Sequence, residues 1–182
     1  MDFRTRITLT RTGIPRRYWD REISVEFGVM EWYMSLQEVL FDQSSEVFGQ
    51  GLVLCGRGAS ANAAWVAQHA LSDNQDLPAP VVSMFVDWGE LMDDLNDRAE
   101  RSGIMADAKS PLLLVLDQVE MISRPEWATT VLTRIVKARY DEGKPTLITT
   151  SKSIDLAHSS LDNCLDFGPN IVRFVETLGE EG

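Results

Sequence analysis

The chain has few of the residues that build disulfide frameworks, metal sites or membrane spans. Its 182 residues include two cysteines and two histidines, and neither His69 nor His158 stands at a metal-ligand spacing from a cysteine. We therefore expect no metal site, and buried thiols of a reducing, cytoplasmic compartment instead of a disulfide. No apolar run approaches the ~20 residues that span a bilayer, and the start lacks the apolar core of a signal peptide. We expect no membrane partner.

Basic residues are also scarce. The formal net charge is -11 at pH 7, which argues against a protein that simply coats nucleic acid. Residues 1–21 nevertheless carry six arginines against two aspartates, whereas residues 81–126 carry ten acids against four bases. The basic segment indicates either solvated surface or contact with a phosphate backbone or an acidic partner.

Short apolar runs alternate with helical patterns, which is typical of a parallel sheet with crossover helices in one α/β domain. The predicted strands are residues 52–55, 81–86, 112–116, 145–149 and 171–175. The predicted helices are residues 29–41, 62–71, 88–101 and 127–140. Gly143 is expected to end the last helix, because glycine adopts a left-handed cap at little steric cost.

The stretch GRGASANAAW follows the first strand, at the place of a phosphate-binding loop. In the G-x-x-x-x-G-K-[ST] loop, backbone amides cradle the phosphates, Lys reaches the outer phosphates and Ser or Thr binds Mg²⁺. Gly56 fits the first position, but Ala61, Asn62 and Ala63 occupy the last three. Losing one transition-state donor typically costs ~10²–10³ in rate. We expect no useful hydrolysis, and on the pattern alone a chance strand–turn–helix explains the loop better.

Asp117 ends the apolar strand in PLLLVLDQVE, at the edge where such folds place ligand-binding groups. In an active ATPase this acid would hold Mg²⁺ through water, and its neighbour would orient the attacking water. The neighbour here is Gln118, which cannot accept a proton. The alternative is that Asp117 caps the following turn. Glu120 is expected to begin the loop.

Three stretches together resemble helicase loaders of the DnaC/DnaI type. GIPRRYW, residues 13–19, is similar to the linker into their ATPase core, and ARYDEGKPTLITTSKS, residues 138–153, to the segment before their sensor residue. The loop and LLLVLDQVE lie between them in the expected order. IstB-type transposition helpers and DnaA-related regulators share this core. The resemblance covers residues 13–175 and implies a three-layer P-loop NTPase core of the AAA+ class, with a five-stranded parallel sheet and helices on both faces.

The functional positions that the resemblance implies are not filled here. The phosphate-loop lysine falls on Asn62, the magnesium hydroxyl on Ala63, the second acid on Gln118 and the sensor asparagine on Ser151. Residues 159–170 contain no arginine where the family has one that reaches the neighbouring subunit, and the C-terminal sensor arginine has no counterpart in ETLGEEG. These losses together predict a pseudo-ATPase and not an enzyme.

The resemblance divides the chain into a basic arm or linker at residues 1–20 and a single domain at residues 21–182. We expect neither a separate C-terminal lid nor the helicase-gripping domain of the loaders. Backbone amides at a helix N-terminus still form an anion site, and the linker would face an adenine. The degenerate nucleotide site comprises Ile14, Pro15, Tyr18, Gly56, Arg57, Gly58, Ala59, Ser60, Ala61, Asn62, Ala63, Asp117, Gln118 and Ser151. We expect no cofactor, because an empty loop after the first strand is favoured over a loop that binds ATP or ADP.

The expected function is contact with a protein partner in DNA replication: loading, capping or regulating an AAA+ homologue or a replicative helicase. The alternative is an IstB-like transposition helper or a DnaA-related regulator that still binds nucleotide. Weak binding of single-stranded DNA or of a partner would use Arg11, Arg16, Arg17 and Trp19, for which linker packing is the favoured alternative.

A serine hydrolase is the distant alternative. GASAN approximates the G-x-S-x-G nucleophile elbow, and Ser60, Asp117 and His158 follow one another in the hydrolase order. The last glycine of the elbow is replaced, however, and the helicase-loader stretches have no place in a hydrolase.

Overall fold

Five short apolar segments form one parallel sheet in the computed structural model, which describes residues 9, 11–20, 22–41, 51–74, 82–96, 101–120, 125–153, 155, 157 and 172–177. The strands are β1 (Gly51–Cys55), β2 (Ser83–Asp87), β3 (Leu113–Asp117), β4 (Thr146–Thr150) and β5 (Val172–Glu176). Their order is β2-β3-β4-β1-β5, and every neighbouring pair is parallel. The predicted five-stranded parallel sheet is confirmed, with shifts of one or two residues at the strand ends. Residues 81 and 171, the predicted starts of two strands, lie outside the described residues.

The helices are α1 (Phe27–Phe41), α2 (Ala59–Asp73), α3 (Trp88–Asn96), α4 (Arg101–Lys109) and α5 (Pro125–Asp141), with a short 3₁₀ turn at Arg16–Tyr18. The prediction of one helix over residues 88–101 is wrong, because α3 ends at Asn96 and α4 begins at Arg101. Residues 97–100 are outside the described part of the chain. Within that part, no helix combines the length and the apolarity that a bilayer crossing requires.

The strands read as continuous apolar runs because helices cover both faces of the sheet. Side chains that alternate along β1 and β3 enter two separate cores. Leu52 and Leu113 join α1, α2 and the N-terminal segment in one core, whereas Val53 and Leu114 join α3, α4 and α5 in the other. This is the three-layer architecture that the resemblance implied.

The segment before α1 covers the outer edge of β2. The Phe85 N–H donates a hydrogen bond of 2.7 Å to the Thr12 carbonyl. Gly13 follows with φ +78°, and a Cβ there would lie 2.2 Å from the Phe85 oxygen, so that only glycine fits. Ile14 and Tyr18 are buried in the core of α1 and α2. The stretch predicted as an arm or linker therefore contributes to the core and shields a sheet edge.

Arg139 of α5 is fully buried at the amino edge of the sheet. Its guanidinium donates only to carbonyl and hydroxyl oxygens: those of Lys109 (3.3 Å), Pro111 (2.8 Å), Leu112 (3.1 Å), Pro145 (2.6 Å) and Thr146 Oγ1 (2.9 Å). Burial lowers the pKa of Arg139 to about 9, and the charge of Glu142 partly opposes this shift. The side chain remains a cation at neutral pH and ties the end of α4 to the starts of β3 and β4.

Replacing Arg139 with methionine should lower the free energy of unfolding by about 3 kcal/mol or more, because several buried oxygens would lose their donors. Urea denaturation followed by circular dichroism measures the change. The matched control is Lys137→Ala in the same helix, whose ion pair with Asp141 is more than half exposed and should contribute less than about 1 kcal/mol. Equal effects of the two substitutions would contradict a structural role for Arg139.

Candidate functional site

The connection between β1 and α2, residues 56–58, is a tight turn and not a wide loop. Gly56 has φ +96°, and its N–H donates to the Thr150 carbonyl at 3.0 Å. The Ala59 N–H donates back to the Gly56 carbonyl at 3.3 Å. The Ala59 amide, which the sequence placed in an anion site, is therefore used inside the turn.

Helix α2 begins at Ala59, so the prediction that it begins at Asn62 is wrong. The reason lies at Gly58, which has φ -84° and ψ -4°, close to helical values. Alanine is the strongest helix former, and residues 59–61 accordingly form the first turn of α2. The residues that a phosphate loop would wrap around the phosphates are thus helical.

Asn62 stands at the lysine position but is only 3% exposed. Its Oδ1 accepts the Glu26 N–H at 3.1 Å, and its Nδ2 donates to the Gly58 carbonyl at 3.0 Å. Asn62 therefore joins the residue before α1 to the first turn of α2. Ala63, at the magnesium position, is fully buried. Both side chains have structural roles that need no nucleotide.

Thr177, just after β5, packs directly on the turn. Its N–H and Oγ1 donate to the Cys55 carbonyl at 2.7 and 2.8 Å. A Cβ on Gly56 would lie 2.7 Å from the Thr177 carbonyl oxygen, and a Cβ on Gly58 would lie 3.3 Å from the Thr177 Cβ. Sequence reasoning missed Thr177, because no local pattern marks a residue 122 positions away from its partner.

Cys55 is a buried thiol, as predicted. Burial, and secondarily the charge of Glu176, raise its pKa to about 11, so that the thiol stays protonated at neutral pH. Cys164 lies outside the described residues.

Asp117 is buried at the end of β3 and bonds across to β4. Its Oδ1 accepts the Thr149 hydroxyl at 2.6 Å, and that hydroxyl accepts the Gln118 N–H at 2.8 Å. The hydrogen bonds of its carboxylate go to the Thr149 and Gln118 side chains, so it does not act as the cap of the following turn. Gln118 adopts φ +57° with an exposed side chain. To bind Mg²⁺, the Asp117 carboxylate would have to give up or share its hydrogen bond with the Thr149 hydroxyl.

The Glu120 side chain bonds to the end of β4, where the resemblance places the sensor residue. The sequence did not predict this contact. Its Oε1 accepts hydrogen bonds from the Ser151 N–H at 2.8 Å, the Ser151 hydroxyl at 2.9 Å and the Thr150 hydroxyl at 3.0 Å. Glu120 lies in the loop after β3, as expected. The sensor position, Ser151, is therefore bonded within the protein.

Two neighbouring cavities at the carboxyl ends of β2 and β3 are lined by acids. The larger, about 510 Å³, includes Pro15 and Arg17 of the N-terminal segment, and the smaller, about 460 Å³, shares Asp87 and Gln118 with it. Their carboxylates are Asp87, Glu90, Asp93, Asp94, Asp107, Asp117 and Glu120. Neither cavity is lined by residues 56–63. Pro15 lines the larger cavity together with Asp117 and Gln118, whereas the turn after β1 bonds to the Thr150 carbonyl at the end of β4.

The candidate basic patch packs on itself. The Arg16 guanidinium lies 5.5 Å from the centre of the Trp19 ring, and the Arg17 guanidinium lies 4.8 Å from that of Tyr18. The Trp19 indole donates to the Ile14 carbonyl at 2.8 Å. All three arginines, Arg11 included, are exposed, so these contacts favour linker packing. Ile14 and Tyr18 are buried and do not form an open adenine pocket.

The hydrolase alternative requires a serine in a strained turn. Ser60 instead lies in the first turn of α2, and His158 is outside the described residues. Across the described ranges, no group of three or more His, Cys, Asp or Glu side chains is arranged to hold a metal ion.

Replacing Gly56 with alanine tests the packing of Thr177 on the turn. We expect a loss of about 1–3 kcal/mol in stability, because alanine is strained at positive φ and its Cβ meets the Thr177 oxygen. The control is Gly103→Ala in α4, where nothing lies within 4 Å and a gain of about 0.5–1 kcal/mol is expected. Thermal unfolding of both variants measures the difference, and a neutral Gly56→Ala would show that Thr177 does not close the turn.

Comparison with known proteins finds likeness in structure alone. No family model matches the chain, and no curated protein matches its sequence. The DnaC helicase loader matches with a TM-score of 0.64 at 18% identity, over 90% of this chain and 100% of that one. DnaI matches with 0.64 at 18% identity, over 89% and 93%. Domain III of the replication initiation protein DnaA from Thermotoga maritima matches with 0.61 at 16% identity, over 86% and 66%. The chain has the α/β fold of these proteins, and its resemblance to the DnaC and DnaI helicase loaders is confirmed at the level of the fold.

Proposed function

We propose that the chain is a helicase-loader-like AAA+ protein that neither binds nor hydrolyses ATP and that acts by protein–protein contact in DNA replication. The fold it shares with helicase loaders and with DnaA supports the replication setting. A fold kept without its chemistry is retained for its surfaces.

The observation that carries the proposal is the closed turn after β1. A phosphate loop offers several free backbone amides around an anion, whereas residues 59–61 are helical here. Asn62 is buried between Glu26 and Gly58, and Thr177 packs against the glycines. A triphosphate would have to displace these contacts before it gained any of its own.

Charge also opposes nucleotide at the carboxyl ends of β2 and β3, where Asp117 and Gln118 of the degenerate site lie. The two cavities beside β2 and β3 carry seven carboxylates, and Arg17 is the one basic residue among their lining side chains. Like charges a few ångströms apart repel strongly where water is partly excluded. A triphosphate without a lysine and a firmly held Mg²⁺ would therefore be disfavoured here.

The residues that would activate water are also missing. Gln118 replaces the catalytic acid and cannot accept a proton. Glu120 is the next carboxylate after Asp117 along the chain, but its Oε1 is held by Thr150 and Ser151 at the end of β4. A general base must reach the proton that it removes. Neither side chain meets that requirement.

The partner we propose is a replicative helicase or an active AAA+ homologue, with no cofactor. The alternative of a nucleotide-binding regulator, IstB-like or DnaA-related, requires the turn after β1 to open. Weak single-stranded DNA binding through Arg16, Arg17 and Trp19 remains a prediction, since these residues make contacts inside the chain.

Calorimetric titration with ATP and ADP, each with and without Mg²⁺, tests the proposal. We expect no nucleotide to bind with a Kd below about 1 mM, which corresponds to a binding free energy of roughly -4 kcal/mol. We also expect no phosphate release above background. Magnesium-dependent turnover would overturn the proposal, and binding without turnover would favour the nucleotide-binding regulator.

A variant with Asn62→Lys and Ala63→Thr restores the two missing side chains. We expect it to remain unable to bind ATP and to be less stable than the parent, because both positions are buried and Asn62 makes two hydrogen bonds. Titration and urea denaturation of the same sample measure both effects. A gain of ATP binding would show that the turn is open enough for nucleotide and that only the side chains were lost.

A further inference from the structure

Helix α1 carries a stripe of large apolar side chains on its outer face. Phe27, Met30 and Met34 are 73%, 41% and 63% exposed. Their spacing of three and then four residues places them along one line of the helix surface. Among the residues whose exposure the structure describes, which excludes residues 37–41 of α1, the one other large hydrophobic side chain with comparable exposure is Tyr140 of α5. We call Phe27, Met30 and Met34 the α1 stripe.

The core does not need the α1 stripe. The inner face of α1 buries Val29, Trp32, Tyr33 and Leu36 against the core that also contains α2. The Tyr33 hydroxyl donates to Asp73 at the end of α2, and the Glu26 amide before α1 is bonded to Asn62. Gly28 approaches the Val175 side chain of β5, where a Cβ would be at 3.4 Å. The helix is therefore anchored at several points, and its outer face is presented on a rigid element.

The charged residues at positions 22–36, which include the α1 stripe, are all glutamates. Glu31 is exposed and lies one turn from both Phe27 and Met34. Glu22, also exposed, precedes the helix, and α1 itself contains no lysine, arginine or histidine. The chain as a whole carries a formal charge of -11. A second copy would bring like charges together, which disfavours self-association through this face.

We propose that the α1 stripe is the docking face for a basic amphipathic helix of a partner protein. This deepens the proposed function and rests on it, since it names the chemistry of the partner. An apolar face on the partner would cover Phe27, Met30 and Met34, as amphipathic helices cover complementary apolar surfaces. Lysine or arginine beside that face would pair with Glu31 and Glu22. Methionine side chains adapt readily to such partners.

Two labelled helical peptides test the proposal. Both have the same leucine-rich apolar face, but the polar face carries lysines in one and glutamates in the other. Fluorescence anisotropy should show binding of the lysine peptide at least 10-fold tighter than that of the glutamate peptide. Changing Phe27, Met30 and Met34 together to serine should weaken the lysine peptide at least 10-fold, and Glu31→Gln should weaken it and reduce its dependence on salt.

Two matched controls separate the α1 stripe from other surfaces. Tyr140→Ser removes the exposed aromatic of α5, and Glu90→Gln with Asp94→Asn neutralises part of the larger acidic cavity. Both should leave binding within 2-fold of the parent chain, and circular dichroism should show that every variant is folded. Binding that survives the triple serine variant, or that is lost only with Glu90 and Asp94, would overturn the proposal.

Self-association and nucleotide are tested separately. Sedimentation that shows a dimer of the parent chain, abolished by the triple serine variant, would assign the α1 stripe to a second copy and overturn the proposal. An anisotropy of the lysine peptide that stays unchanged at chain concentrations up to about 1 mM, the level of ~4 kcal/mol of affinity, would do the same. The peptide assay contains no nucleotide, so its failure leaves the ATP titration untouched. ATP turnover would overturn the proposed function without changing the peptide result.

Discussion

The buried guanidinium of Arg139 holds the neighbouring strands β3 and β4 in place. It bonds to oxygens before β3 and at the start of β4, and no carboxylate is among its hydrogen-bond acceptors in the described structure. A planar fork with five donors can satisfy such a set of oxygens, which an ammonium group cannot. The pairing of Leu114 with Thr146 follows directly from this junction. At the other end of the same two strands, that register brings Thr149 to Asp117.

Polar side chains at the carboxyl edge of the sheet bond within the protein. In an ATPase the polar groups of this edge face a ligand, and strain or unmet hydrogen bonds there lower stability. Here Asn62, Asp117 and Ser151 each have partners within the protein. Thr177 adds two hydrogen bonds to the Cys55 carbonyl. The contacts that occupy these side chains therefore also stabilise the fold.

Much of the fold could be predicted from the sequence. Buried parallel strands are continuous apolar runs, and the five predicted strands lie within two residues of the observed ones. The sequence also shows that Asn62 and Ala63 stand where a phosphate loop would carry its lysine and its magnesium ligand. The predicted start of α2 at Asn62 is wrong. Aligning residues 56–63 with the phosphate-loop motif predicts which residue types stand where, but it does not predict their backbone angles. Gly58 already has nearly helical angles, and this moves the helix start to Ala59.

Contacts between distant parts of the chain could not be predicted in this way. The packing of Thr177 on Gly56 and the bond of Glu120 to Ser151 depend on tertiary structure. The same is true of the N-terminal segment on β2, and this contact has a consequence for the order of folding. Thr12 is made early during synthesis, but its partner Phe85 emerges only after β1 and α2 are complete. The segment that contains Thr12 therefore reaches this position only after β2 has been made, and until it does so the outer edge of β2 is open to other chains.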